Sequence, residues 1–243
     1  SYVVRTCADV IRVQCEQRFL VYHYADVPVA WRALHTDASL LSGVATLAMQ
    51  EPTEVEARIR DLDVALIVSG APDREADVHM LLRALQAYMP RDDTGHPRLV
   101  PDHIPLTQPI AARTVDEYAE APSLRAFLDR CPHPSCPYGA PFVVRGFARD
   151  WPAMSRWRDP SDLCRRAGPG RVVPVEKGLS YTDEAWGQGI VPWSDFLARI
   201  GWSSSACEPL YLAQHTLHTQ FPWLAHDIIL PDYVYACPPH PGY

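Results

Sequence analysis

No apolar run in the chain approaches the roughly 18 residues that a helix needs to cross a bilayer. No basic segment leading into an apolar stretch opens it, so a secretory leader is not read. No run of five or six Lys or Arg occurs, and the formal net charge is −7. Direct nucleic-acid binding, which rests on neutralising phosphates, is therefore not expected, and neither is a membrane partner. The seven cysteines are an odd number. They are scattered at Cys7, Cys15, Cys131, Cys136, Cys164, Cys207 and Cys237. A secreted disulfide framework would be denser and usually even, so reduced thiols in an intracellular protein, nuclear or cytoplasmic, are expected. What is present is ample: 243 residues, 47% of them hydrophobic and 21% charged, enough for a buried core in one or two domains.

The first part reads as helices. Residues 6–24 contain neither Gly nor Pro. Asp26 and Pro28 open a second helix, in which Leu34, Leu41, Val44 and Ala48 recur at helical spacing and are expected to face core or a neighbouring helix. After Pro52, Thr53 and Glu56 have the spacing of a capping box. Val55, Ile59, Leu62 and Leu66 then share a face, and Gly70 sits where a left-handed cap belongs. A fourth helix carries Val78, Leu81, Leu82, Leu85 and Met89 up to Pro90. The expectation is an all-α domain over 1–89, with no fixed-period repeat.

Pro90, Pro97, Pro101, Pro105 and Pro109 mark a proline-rich linker, placed at 90–122. A short helix follows near Ser123–Arg130, then the irregular stretch Cys131–Pro137. Beyond Pro141 the character changes. Phe142–Val144, Arg171–Glu176 and Leu210–His215 read as strands, and Pro192 opens a helix with Trp193, Phe196, Leu197 and Ile200. Residues 221–233 read as a short helix or turn between Pro222 and Pro231. Of the seven tryptophans only Trp31 precedes residue 150, so an aromatic core is expected in this half. The fold class is α+β.

Three constellations invite a metal and none is persuasive. His35-Thr36-Asp37 is a His-x-Asp string, but on a helix positions i and i+2 lie about 200° apart, whereas a strand would put both on one face. Cys131, His133 and Cys136 lack the fourth ligand of a structural zinc site. His215 and His218, with His226 near in sequence, are a pair without an acidic partner, and along a strand the two would face opposite sides.

Several segments carry a family resemblance. Pro141 to Pro152 (PFVVRGFARDWP) is followed by Trp157. Val173 to Glu176 reads VPVE, Tyr181 to Trp186 YTDEAW, Trp193 to Phe196 WSDF, Tyr211 to His215 YLAQH, and Ile229 to Tyr233 ILPDY. In combination they resemble the opening of the JmjC-type, cupin-like iron and 2-oxoglutarate oxygenases of the lysine-demethylase-8 kind. Trp31 to Ser39 (WRALHTDAS) is similar to that family's helical N-terminal region. The resemblance implies that residues 123–243 form the incomplete start of a jelly roll. It further implies that the family oxidises a protein side chain, as hydroxylase or lysine demethylase, using Fe(II) and 2-oxoglutarate. Tyr211 would contact 2-oxoglutarate. Glu176 and Gln214 would hold the substrate, Glu176 favouring a basic side chain. Family iron sits on a His-x-Asp pair and a distant His, some tens of residues past the Pro-Asp-Tyr landmark. Ten residues follow Tyr233 and hold no such pair, and the adjacent Pro238 and Pro239 disfavour a central strand. The expectation is a chain that stops short of the iron ligands, binds neither iron nor 2-oxoglutarate alone, and is inactive alone with strand edges left unpaired. The alternatives are a non-catalytic interaction module on the helical part, or a truncated product without function.

Overall fold

The computed structural model describes residues 2–90, 115–130, 141–178, 186–199 and 210–236. In chain order the helices are α1 (Tyr2–Phe19), α2 (Val29–Met49), α3 (Val55–Val64), α4 (Glu75–Gln86), α5 (Leu124–Arg130), α6 (Ala153–Arg156), α7 (Pro160–Ala167), α8 (Trp193–Arg199) and α9 (Leu217–Gln220). The strands are β1 (Asp116–Tyr118), β2 (Phe142–Val144), β3 (Val172–Lys177) and β4 (Gly187–Pro192). Helix and sheet mix as α+β expects. The described residues divide into two compact units: residues 1–100 with 159–222, and residues 101–158 with 223–243.

In the first unit α1 to α4 form one layer. Val55, Ile59, Leu62 and Leu66 meet Val78, Leu81, Leu82 and Leu85 in a buried apolar cluster, with Leu40, Leu47 and Met89 against it. Gly43 lets α2 approach α4 closely: a β-carbon there would stand 2.8 Å from the Leu81 side chain. The helix α3 runs into a single π turn over Ala65–Ser69 and stops at Gly70, whose φ of 70° is the expected left-handed cap.

The expected capping box is absent. Pro52–Glu54 form a 3₁₀ turn first, so α3 begins at Val55 with Glu54 as its cap residue and no side-chain bond there. The expected inward face of α2 is also corrected. Leu34, Leu41 and Val44 are exposed, while His35, Thr36, Ser39, Ser42 and Thr46 are buried. The reason is the partner surface. Ser42 Oγ donates to Asp9 Oδ1 at 2.8 Å, and Arg58 bonds both Ser42 and Asp9. Arg12 reaches Glu16 at 2.7 Å and Asp61 at 3.5 Å. The seam joining α1, α2 and α3 is largely polar.

Onto this layer packs the hairpin of β3 and β4, antiparallel with Val172 opposite Pro192 and Lys177 opposite Gly187. Trp193 on α8 packs against Phe221 with ring centres 5.1 Å apart, and both are buried. Pro160 begins α7 behind Asp159, whose side chain accepts the Ser161 N–H at 3.0 Å. The third expected strand is not formed. Of Leu210–His215 only Tyr211 pairs, as an isolated bridge to Glu176, and Gln214 turns away with φ of 52°. The tryptophans form less of the core than expected: Trp193 is buried, while Trp31, Trp151, Trp157, Trp186 and Trp223 are half-buried. The strand β4 and the helices α6 and α7 had no counterpart in the sequence reading.

The second unit holds β1 and β2 in parallel, Asp116 opposite Phe142. Its core is aromatic: Phe127 stacks on Tyr233 at 4.6 Å, and Tyr118 meets Phe142 edge-on at 5.5 Å. The buried carboxylate of Asp227 accepts from Arg156 Nη1 at 2.7 Å and Trp157 Nε1 at 3.0 Å. Cys7 and Cys15 are free thiols. The linker prolines beyond Pro90 and the Cys131–Pro137 stretch lie outside the described residues, as does Tyr181–Ala185.

Candidate functional site

The segment Arg171–Lys177 is rich in valine, which fits a pleated, half-buried strand. Val173 and Val175 are buried, and Glu176 is half-buried on the other face with Pro174. Glu176 exchanges both backbone hydrogen bonds with Tyr211. The Glu176 N–H donates to Tyr211 O at 2.7 Å, and the Tyr211 N–H to Glu176 O at 3.1 Å. Residues paired in this way project their side chains to the same face of the ladder. The carboxylate of Glu176 and the phenol of Tyr211 are thus brought side by side, with Tyr211 64% exposed. Gln214 is exposed three residues further on.

A buried ionic clasp fixes this strand. Asp63 on α3 is fully buried and takes Arg171 at both carboxylate oxygens: Nε at 2.9 Å from Oδ2 and Nη2 at 2.7 Å from Oδ1. Asp63 Oδ2 also accepts the Val172 N–H at 2.9 Å, so α3 caps the start of β3. Arg171 Nη2 donates further to Gln220 O at 2.9 Å, and the guanidinium lies 4.4 Å from the centre of the Phe221 ring. The Gln220 amide donates to Val172 O and accepts from His215 Nε2 at 2.9 Å. His215 carries its proton on Nε2 in this arrangement.

Burial pushes the His215 pKa below its usual 6.5, against the Gln220 bond and the Asp63 charge that pull it upward. His79 is lowered too, chiefly by burial, while its bond to Thr219 O at 2.8 Å acts the other way. The clasp residues were missed in the sequence. The one signal for them is a lone aspartate in the otherwise apolar run Leu62–Val68.

The other expected candidates have different roles. His35 is buried between Glu16, 3.4 Å from its Nε2, and Ser69, 2.8 Å from its Nδ1. Asp37 instead meets Arg74 at 3.2 Å on the surface. His218 and His226 are exposed. Cys131, His133 and Cys136 lie outside the described residues. Among the described residues no three His, Cys, Asp or Glu side chains converge as metal ligands, so those residues do not fit an iron centre. No described helix is long and apolar enough to cross a membrane.

No protein-family model matches the chain. It is 31% identical over 224 residues to JmjC domain-containing protein 5 of Drosophila melanogaster, covering 89% of this chain and 53% of that protein. It is 42% identical over 99 residues to the lysine-specific demethylase JMJ30 of Arabidopsis thaliana, covering 40% of this chain and 23% of that protein. Over 93 residues it is 38% identical to lysine-specific demethylase 8 of Danio rerio, covering 38% of this chain and 23% of that protein. The chain therefore spans about half the length of the fly relative and about a quarter of the other two. The likeness to the fly protein extends through nearly all of this chain, helical part included, which single motifs could not achieve. The chain is a JmjC-type protein, of the kind represented by JmjC domain-containing protein 5 and the lysine-specific demethylases.

Proposed function

We propose that the Glu176–Tyr211 pair forms one wall of a pocket in a 2-oxoglutarate-dependent oxygenase that acts on a basic side chain of a protein substrate. Tyr211 donates its hydroxyl to a 2-oxoglutarate carboxylate. Glu176 and Gln214 receive the substrate, with the Glu176 carboxylate selecting a guanidinium or ammonium group. In this reading residues 1–89 are a helical domain, 90–122 a linker, and 123–243 the opening of a jelly-roll JmjC domain. The working compartment is the nucleus or cytoplasm. Fe(II) and 2-oxoglutarate are what complete JmjC enzymes employ. Among the described residues no three metal-ligating side chains converge.

The observation that carries the reading is the reciprocal backbone pairing of Glu176 with Tyr211. Two residues 35 positions apart share one face at a strand whose start is fixed by the Asp63–Arg171 clasp. The test is succinate formation from 2-oxoglutarate by the native-length protein. Tyr211→Phe deletes one hydrogen bond to a charged group, about 1.5–3 kcal/mol, so kcat/KM for 2-oxoglutarate should fall by about 10-fold or more. A variant as active as the wild type, or a native-length protein that never turns over 2-oxoglutarate, contradicts the reading.

A further inference from the structure

The outer edge of β3 carries one bridge and no neighbouring strand among the described residues. Arg171 O takes the Trp193 N–H at 2.9 Å on the β4 side, while Val172 and Glu176 turn their N–H and C=O groups the other way. On that edge Glu176 and Tyr211 exchange both backbone bonds. In an antiparallel ladder such pairs recur at every second residue, so Pro174 with Ala213 and Val172 with His215 would come next. Pro174 has no N–H to give, so the first of them cannot be completed. Gln214 then takes φ of 52° and the chain leaves the edge. Val172 is nonetheless satisfied at both atoms. Its N–H donates to Asp63 Oδ2 at 2.9 Å, and its C=O accepts from the Gln220 side chain. The same Gln220 amide accepts from His215 Nε2 at 2.9 Å, so His215 is tied to Val172 through one side chain rather than by its own backbone.

We propose that Gln220 is a positioning residue for the Glu176–Tyr211 pair. Its side-chain amide stands in for the ladder bonds that Pro174 and Gln214 break, and so holds residues 210–215 in register with β3. This rests on the reading of that pair as a pocket wall and adds what keeps the wall in place. A lone bridge leaves a segment free to pivot about it, and a second tie four residues along removes that freedom. Side chains that grip a ligand depend on such supporting hydrogen bonds. Gln220 is itself well held. It is fully buried. Arg171 Nη2, which is bound to Asp63, donates to the Gln220 backbone O at 2.9 Å. His79 on α4 donates to the neighbouring Thr219 O at 2.8 Å. Both anchors start from the helical layer, one from α3 and one from α4, so that layer buttresses the wall. An apolar side chain of the same length would fill the space as well, but it would leave Val172 O and the His215 N–H without these partners. A buried amide satisfies both at once.

The experiment uses three variants of the native-length protein. His215→Leu and Gln220→Met remove the tie, whereas His215→Gln keeps a donor for the Gln220 amide. The first readout is amide hydrogen exchange without ligand. His215→Leu and Gln220→Met should speed exchange over residues 210–215 by about 5-fold or more, the worth of one hydrogen bond, while the peptides of α3 and α4 stay protected. His215→Gln should bring the rate back toward that of the wild type. The second readout is 2-oxoglutarate turnover. In His215→Leu, KM for 2-oxoglutarate should rise by about 5-fold or more with kcat kept within about 2-fold, since Tyr211 grips the co-substrate equally before and during reaction. A merely structural role would lower the amount of active protein and leave KM alone. Exchange over 210–215 that stays as in the wild type overturns the proposal. So does a loss of protection in α3 and α4 together with it, or His215→Gln behaving as His215→Leu does. If Gln220→Met fails to fold, His215→Leu, at a half-buried position, decides. Faster exchange over 210–215 with KM unaltered, or with no turnover by the wild type, leaves the positioning role standing and counts against the pocket reading instead.

Discussion

Two seams hold the helical layer, and they differ in kind. Between α3 and α4 the contact is apolar, built from Ile59, Leu62, Val78, Leu82 and Leu85, all essentially free of solvent. Between α1, α2 and α3 it is polar, built from Asp9, Arg12, Glu16, His35, Ser42, Arg58 and Asp61. The first gains stability without direction. The second contributes less net energy, because each charge loses its hydration, but it admits one register. Asp61 shows that cost directly: burial raises its pKa above the usual 3.8, even with Arg12 and Arg58 pulling it down. Glu16 moves the opposite way, held low first by its bond to His35. One consequence is visible on the surface. Because the polar faces of α1 and α2 meet each other and α3, Leu34, Leu41 and Val44 are left outside.

The comparison can be broken most forcefully at a third contact, the buried clasp that joins α3 to β3. Asp63→Asn should destabilise the protein by about 3–5 kcal/mol in urea unfolding, since it strands the buried Arg171 charge. A loss below 1 kcal/mol would mean that the clasp is not what fixes β3. In the apolar seam, Leu82→Ala should cost about 2–5 kcal/mol, while Met80→Ala on the exposed side of the same helix should stay within about 0.5 kcal/mol. In the polar seam, Arg58→Ala should cost about 1–3 kcal/mol by leaving the buried Asp61 and its neighbour Asp9 with fewer partners. Equal losses from Leu82→Ala and Arg58→Ala across repeated measurements would erase the distinction.

The smallest effect expected is with pH. His79 and His215 have folded pKa values below 6.5, so each favours the folded state fully above 6.5. That contribution is lost as pH falls through their folded values. Glu16, whose folded pKa lies below 4.5, keeps its contribution through this window. Tm should therefore decline as pH falls from 7 toward 5, and His215→Asn should flatten part of the decline. A Tm unchanged across that range would show that neither imidazole is held neutral by the fold.

What was legible in the sequence follows the same division. The apolar periodicity of Val55, Ile59, Leu62 and Leu66 and of Val78, Leu81, Leu82 and Leu85 located α3, α4 and their common core. Gly70 as a left-handed cap was readable because few residue types adopt that backbone. The same periodicity misled on α2. There the spacing of Leu34, Leu41 and Val44 predicts a face toward core or a neighbouring helix, and nothing local shows that Ser42 and His35 have charged partners on other helices. The Asp63–Arg171 bond spans 108 positions and has no local signature beyond an aspartate among apolar residues. The strand expected over Leu210–His215 does not form. The left-handed backbone at Gln214 turns the chain away, and a single backbone bridge at Tyr211 remains. The family was legible from separated motifs taken together, since their order and spacing, rather than any one of them, carry the information.

The account turns on the Glu176–Tyr211 pair as a ligand-binding wall. The most direct measurement is amide hydrogen exchange of the native-length protein with and without 2-oxoglutarate, using manganese(II) as a redox-inert metal. The account predicts slowed exchange in the peptides covering residues 172–177 and 210–215, with α1 and α2 unchanged. It also predicts that Tyr211→Phe reduces that protection. Protection confined to other parts of the chain, with these two segments exchanging as before, would contradict it.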